Sequence, residues 1–133
     1  MGKKVEILID TNILIKLFRK NKTIEELLLK FNNKNIYVSD ITVMELLIGC
    51  DTVDKRKTIE NEIKGFGVSE IIPEIIDLAK SLIKRYAINN PGRVQLADMI
   101  IAASAVYEEI ELLTHNKKDF EFIKELKLHP LSK

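Results

Sequence analysis

The sequence predicts an α/β fold, a three-layer α/β/α sandwich with a mostly parallel central sheet. Three observations predict it. Short apolar runs rich in Ile, Leu and Val alternate with longer stretches of helical periodicity. Parallel strands need long crossovers, and helices between them cover both faces of the sheet. The 133 residues are 46% apolar, which suits one domain over 1–133 that buries a core without disulfides.

Taken in order, Val5 to Ile9 reads as a buried strand that closes at Asp10. Ile13 to Phe18 is a short helix opened by Thr11 or Asn12 as its cap. Thr23-Ile-Glu-Glu26 has the form of a capping box, with its helix running to about Phe31. Ile36 to Val38 is a second strand, followed by a helix from about Thr42 to Cys50. A charged helix covers Val53 to Lys64 and stops at Gly65 and Gly67. Val68 to Ile72 is a third strand, and Pro73 opens a helix that reaches about Ala87. Asn89-Asn-Pro-Gly92 is the clearest loop. The helix over Val94 to Glu109 is apolar nearly all round, hence buried. Glu111 to Thr114 is a fourth strand, with Leu126 to Leu128 a candidate fifth.

Composition narrows the function classes. A net charge of +1, from 21 basic and 20 acidic residues, gives no overall attraction to nucleic acid. Any such contact must come from a local patch, and Lys16, Arg19, Arg93, Lys117 and Lys118 are the candidates, Arg93 and Lys117 first. The lone Cys50 reads as a buried, inert thiol in a reducing, cytoplasmic setting. No apolar run approaches the roughly 20 residues of a membrane span. Lys3 and Lys4 precede too short an apolar stretch for a signal peptide, and Met1-Gly2 lacks a myristoylation context.

Four acids carry the chemistry. In parallel sheets ligands bind beyond the carboxyl ends of the strands. Asp10 closes the first strand, Glu45 lies a turn past the second, and Asp119 follows the fourth. Asp98 stands in the first turn of the most apolar helix. Each also has a purely structural reading: an Asx turn for Asp10, and the capping box Thr42-Val-Met-Glu45 for Glu45. A helix-dipole partner suits Asp98, and the cap of a short helix suits Asp119. Together they point further. Clustered carboxylates repel one another, and a divalent cation reverses that cost. All-oxygen ligation selects a hard ion, Mg2+ or Mn2+. Zinc lacks its ligand spacing here, and His115 and His129 read as surface residues. Such a centre suits phosphodiester hydrolysis.

At these residues the sequence resembles the PIN-domain family, specifically its VapC-type toxin ribonucleases. The matching segments are I-D-T-N at 9–12, I-T-V-M-E-L-L-I-G at 41–49, L-A-D-M-I-I-A-A at 96–103 and L-T-H-N-K-K-D-F at 113–120. The resemblance implies a PIN-like sandwich and a magnesium- or manganese-dependent endoribonuclease acting on RNA, transfer RNA among the candidates. It implies Asp10 and Asp98 as principal metal ligands, with Glu45 and Asp119 joining them directly or through water. Thr11 would support the Asp10 carboxylate, Asn116 the network around Asp119, and Thr114 either that site or merely the strand end. A homodimer and a cognate antitoxin of a type II toxin–antitoxin system are the implied partners. The first two helices carry Leu17, Phe18, Leu27 and Leu28, which suit core packing better than an interface.

Three other readings compete. A housekeeping RNA-processing PIN nuclease would share every motif. A catalytically silent PIN fold that only binds protein conflicts with four retained acids. A phospho-acceptor receiver needs an adjacent acidic pair, but Thr11 and Asn12 follow Asp10.

Overall fold

The computed structural model describes residues 6–133. Val5, the Lys3-Lys4 pair and Met1-Gly2, weighed above, lie outside the described residues. Strand β1 (Ile7–Ile9) leads directly into α1 (Thr11–Phe18), and α2 is Lys22–Leu28. Then come β2 (Ile36–Ser39), α3 (Asp40–Ile48), α4 (Val53–Ile63) and β3 (Gly67–Ser69). The order closes with α5 (Pro73–Tyr86), α6 (Leu96–Glu108) and β4 (Glu111–Leu113).

The strands lie in the order β3-β2-β1-β4, every neighbouring pair parallel. Chain progression runs outward from β1 through β2 to β3, and then jumps to the other side of β1. The order therefore reverses between β1 and β4, the place where such sheets open a crevice at their carboxyl ends. Ile9 pairs with Leu113 at that end, so Asp10 and Thr114 come next on adjacent strands.

Alternation along β1 sets the layers. Ile7 and Ile9 face one apolar cluster with Ile13, Leu14, Ile24 and Ile63, whereas Leu8 faces another with Ile75, Leu82, Met99 and Ala103. Helices α1, α2 and α4 thus cover one face and α5 and α6 the other. Leu17, Phe18, Leu27 and Leu28 pack into the first cluster. The buried run Met99 to Ala105 explains why α6 is apolar on nearly every side.

Several local expectations shift. Asp10 itself caps α1, because Thr11 and Asn12 direct their side chains elsewhere. Asn21 rather than Thr23 caps α2, accepting from the Ile24 N–H. Ser39 caps α3, so that helix starts before Thr42, and Thr42-Val-Met-Glu45 is not a capping box. Thr42 is instead a buried residue inside the helix, and Glu45 lies in its second turn. Strand β3 stops at Ser69, since the Ile71 N–H donates to Asp40 Oδ2 and leaves the ladder. Leu126 to Leu128 forms only a single parallel bridge, Leu112 to Leu128, because the next donors turn to side chains, the Thr114 N–H to Ser132 Oγ and the Leu131 N–H to His129 Nδ1. Cys50 is half-buried, its thiol donating to the Leu46 carbonyl at 3.3 Å. His115 and His129 are likewise half-buried rather than solvated, His129 packing edge-on to Phe31.

Candidate active site

Asp10 is the most buried of the four acids, 5% exposed at the mouth of the β1–β4 crevice. An isolated carboxylate there would be costly, and two donors answer it. The Thr11 N–H donates to Oδ1 at 2.8 Å, and the Thr114 hydroxyl donates to Oδ2 at 2.7 Å. Thr114 is held in turn, its oxygen accepting from the Asn116 N–H at 2.9 Å. Burial pushes the Asp10 pKa up, hydrogen bonds from Thr114 and Thr11 pull it back, and the charges of Glu45 and Asp119 raise it again.

Asp98 enters from the first turn of α6 and is half-buried. Burial, and then the charges of Asp10, Asp119 and Glu45, push its pKa up to about 7. Asp119 ends a single 3-10 turn over Lys117–Asp119 beyond β4, its N–H bonded to the Asn116 carbonyl at 2.9 Å. Glu45 projects from α3, exposed, with Oε1 accepting from the Thr11 hydroxyl at 2.8 Å. That hydroxyl has one proton, so the Thr42 hydroxyl 2.9 Å away must donate to it. A relay Thr42 to Thr11 to Glu45 results.

The four acids therefore share one sheet edge and feel one another's charge. Among the described residues, though, no group of three or more Asp, Glu, His or Cys side chains is arranged to hold a metal ion as it stands. The donor set still fits a hard divalent cation. It is all oxygen, and after burial the charges of the neighbouring acids add to the raised pKa values of Asp10 and Asp98, which a cation would offset. The oxygens that could hold it are those of Asp10, Asp98, Glu45 and Asp119.

The supporting residues sort differently from the expectation. Thr11 serves Asp10 through its backbone and Glu45 through its hydroxyl. Thr114 is the side chain that holds Asp10. Asn116 acts through its main chain, bonded to both Thr114 and Asp119. Arg93 donates to the Lys118 carbonyl and lies over the Phe122 ring at 5.7 Å, which fastens the turn bearing Asp119. Lys117 is exposed at the start of that turn. Sequence reasoning missed Thr42 and Asn12. Thr42 had a signal, one helical turn before Glu45 on the same face. Asn12, whose Oδ1 accepts from the His115 N–H at 3.5 Å, stood only as a cap candidate within the D-T-N segment.

A PIN-domain family profile matches residues 7–126, nearly the whole chain. The chain belongs to the PIN-domain family. This PIN domain is 32% identical over 123 residues to "Ribonuclease VapC1" of Methanocaldococcus jannaschii, covering 92% of this chain and 85% of that protein. It also superposes on a chain of a toxin–antitoxin complex from Klebsiella pneumoniae, with 28% identity and a TM-score of 0.78, covering 96% and 100% of the two chains. A chain of the DNA-bound VapBC from Salmonella typhimurium shares the fold at 22% identity and a TM-score of 0.82, with 94% and 97% covered.

Proposed function

We propose that this PIN domain is a metal-dependent endoribonuclease, the toxin of a toxin–antitoxin pair, acting as a single domain in the cytoplasm. The observation that carries the reading is the set of four acids, on four separate elements, at the β1–β4 crevice. Similarity to a protein named ribonuclease supplies the reaction class. Similarity to a chain of a toxin–antitoxin complex supports the biological setting.

A bound Mg2+ or Mn2+ would supply Lewis-acid polarisation of the phosphoryl group and an activated water. Asp10 and Asp98 are assigned as its principal ligands. Glu45, whose Oε1 accepts from the Thr11 hydroxyl, can orient or deprotonate the attacking water. Asp119 completes the acidic wall. Thr114 fixes the direction of the Asp10 oxygens, and Asn116 fixes Thr114. Lys117 is exposed beside Asp119 and is assigned to an RNA phosphate, whereas Arg93 is assigned to the turn itself.

Two surfaces support the partners. An apolar groove of about 630 Å³, lined by Ile15, Phe18, Leu46 and Ile59 with Glu45 at its rim, offers an antitoxin segment a seat beside the acids. Met44 and Ile48 stand exposed one turn apart on α3, which suits a homodimer. The deciding experiment incubates mixed RNA with the protein and Mg2+ or Mn2+. Cleavage by the wild type, lost with chelator and in Asp10→Asn and Asp98→Asn, is expected. Cutting by both variants at wild-type rates would remove the assignment.

A further inference from the structure

A second pocket, of about 400 Å³, opens between α2 and the chain that follows β4. Lys30, His115 and Lys133 line it, and Glu26 is the one acid in its wall. Lys16 of α1 stands behind, with Nζ 2.8 Å from His115 Nδ1. An ammonium only donates, so Nδ1 accepts, and the proton of the neutral imidazole sits on Nε2 as a donor. Burial and the charges of Lys16 and Lys133 hold the His115 pKa below its ordinary value, which keeps the ring neutral near pH 7.

The pocket is fastened to the acidic centre through the main chain. The Lys133 N–H donates to the Thr114 carbonyl at 3.0 Å, and the Lys133 carbonyl accepts from the Lys117 N–H at 2.8 Å. Ser132 Oγ accepts from the Thr114 N–H at 3.2 Å. Thr114 is the residue that holds Asp10, so the basic pocket keeps a fixed offset from the acids. Ion pairs among the described residues are Lys55–Asp51, Arg56–Glu60, Arg85–Glu125 and Arg93–Glu121. None of these pairs takes in Lys16, Lys30 or Lys133.

Lys30 and Lys133 in the wall, with Lys16 behind His115, set three positive charges against the one acid, Glu26, on a chain whose net charge is only +1. The acids next to them repel a polyanion, so a substrate backbone needs an anchor close by. We propose that this pocket is a phosphate subsite that grips the RNA backbone beside the bond cut at the acidic centre. The assignment rests on the nuclease reading. Its ligand is the phosphodiester group, held by ammonium charge and by the His115 Nε2–H, with no base read.

The test measures the affinity of full-length protein carrying Asp98→Asn for a fluorescein-labelled single-stranded RNA across a salt series. Lys16→Ala and Lys133→Ala are each expected to weaken binding about fivefold at 0.1 M salt and to lower the slope of log K against log salt by about 0.7, one phosphate contact each. Lys57→Ala, the same charge change on exposed α4, is the control and is expected to alter neither. Lys133→Arg should retain both affinity and slope. If Lys16→Ala and Lys133→Ala track Lys57→Ala while the wild type still cleaves RNA, the pocket assignment alone is overturned. If the wild type neither binds nor cleaves RNA, the nuclease reading falls, and the subsite with it.

Discussion

The site has two halves built by different means. On the β1–β4 side, Asp10 is buried at the end of a central strand and tied to neighbouring backbone and to Thr114. On the α3 side, Glu45 is exposed on a helix and steadied by a single hydroxyl, which Thr42 backs. The first half is rigid because its polar groups have no water to fall back on. The second is adjustable, since solvent can replace its partner at little cost. The difference suggests a division of labour. On the proposed metal-dependent reading, the buried half fixes where a cation would sit, and the exposed half can meet whatever water or phosphate arrives.

The largest effect should separate the halves most clearly. Asp10→Asn is expected to lower RNA cleavage by more than about 100-fold, since losing only an outer partner of a metal ligand costs about 10–100-fold. Glu45→Gln should cost less, and equal losses in a cleavage assay would break the contrast.

Next in size is Thr114→Val, which keeps the shape and deletes the donor to Asp10. A fall of about 10–100-fold in activity is expected, with weaker Mn2+ binding in a calorimetric titration. Thr114→Ser, which retains the hydroxyl, should recover most of both.

A pH effect on the metal-free protein comes third. Folded Asp98 keeps its proton up to about pH 7, whereas an unfolded aspartate loses it near 3.8. The folded state therefore binds more protons between those values, so stability falls as pH rises through that window. Metal-free Tm should be lower at pH 8 than at pH 5. Adding Mg2+ at pH 8 should restore it, and Asp98→Asn should flatten the fall. A Tm that rises from pH 5 to 8 would contradict the burial and charge crowding that raise the Asp98 pKa.

Thr11→Val is the smallest. It removes the Glu45 donor and leaves the buried Thr42 hydroxyl seeking another partner, at a cost of about 1 kcal/mol in chemical denaturation. Activity should drop by less than about tenfold, within the adjustable half's tolerance.

Particular residues explain what was legible. The D-T-N after a strand, the acid in an apolar helix start and the acid past β4 are local patterns that any reader of periodicity can place. The supporting hydroxyls were harder to assign. Thr11 stands next to Asp10 in sequence, yet its hydroxyl turns to a glutamate 34 positions away. Helix caps also misled, because Thr23 and Thr42 offer the right letters while Asn21 and Ser39 hold the caps. A capping box is satisfied by sequence spacing alone, whereas the true cap depends on where the preceding strand or turn releases the chain.

Apolar period and punctuation by themselves determined the layers, the helices and where along them the four acids fall, since burial of alternate residues depends on nearest neighbours along the chain. Which hydroxyl meets which carboxylate was decided only when strand order reversed between β1 and β4. Crossovers set that order, and they bring Thr114 to Asp10 across 104 positions that no local pattern connects.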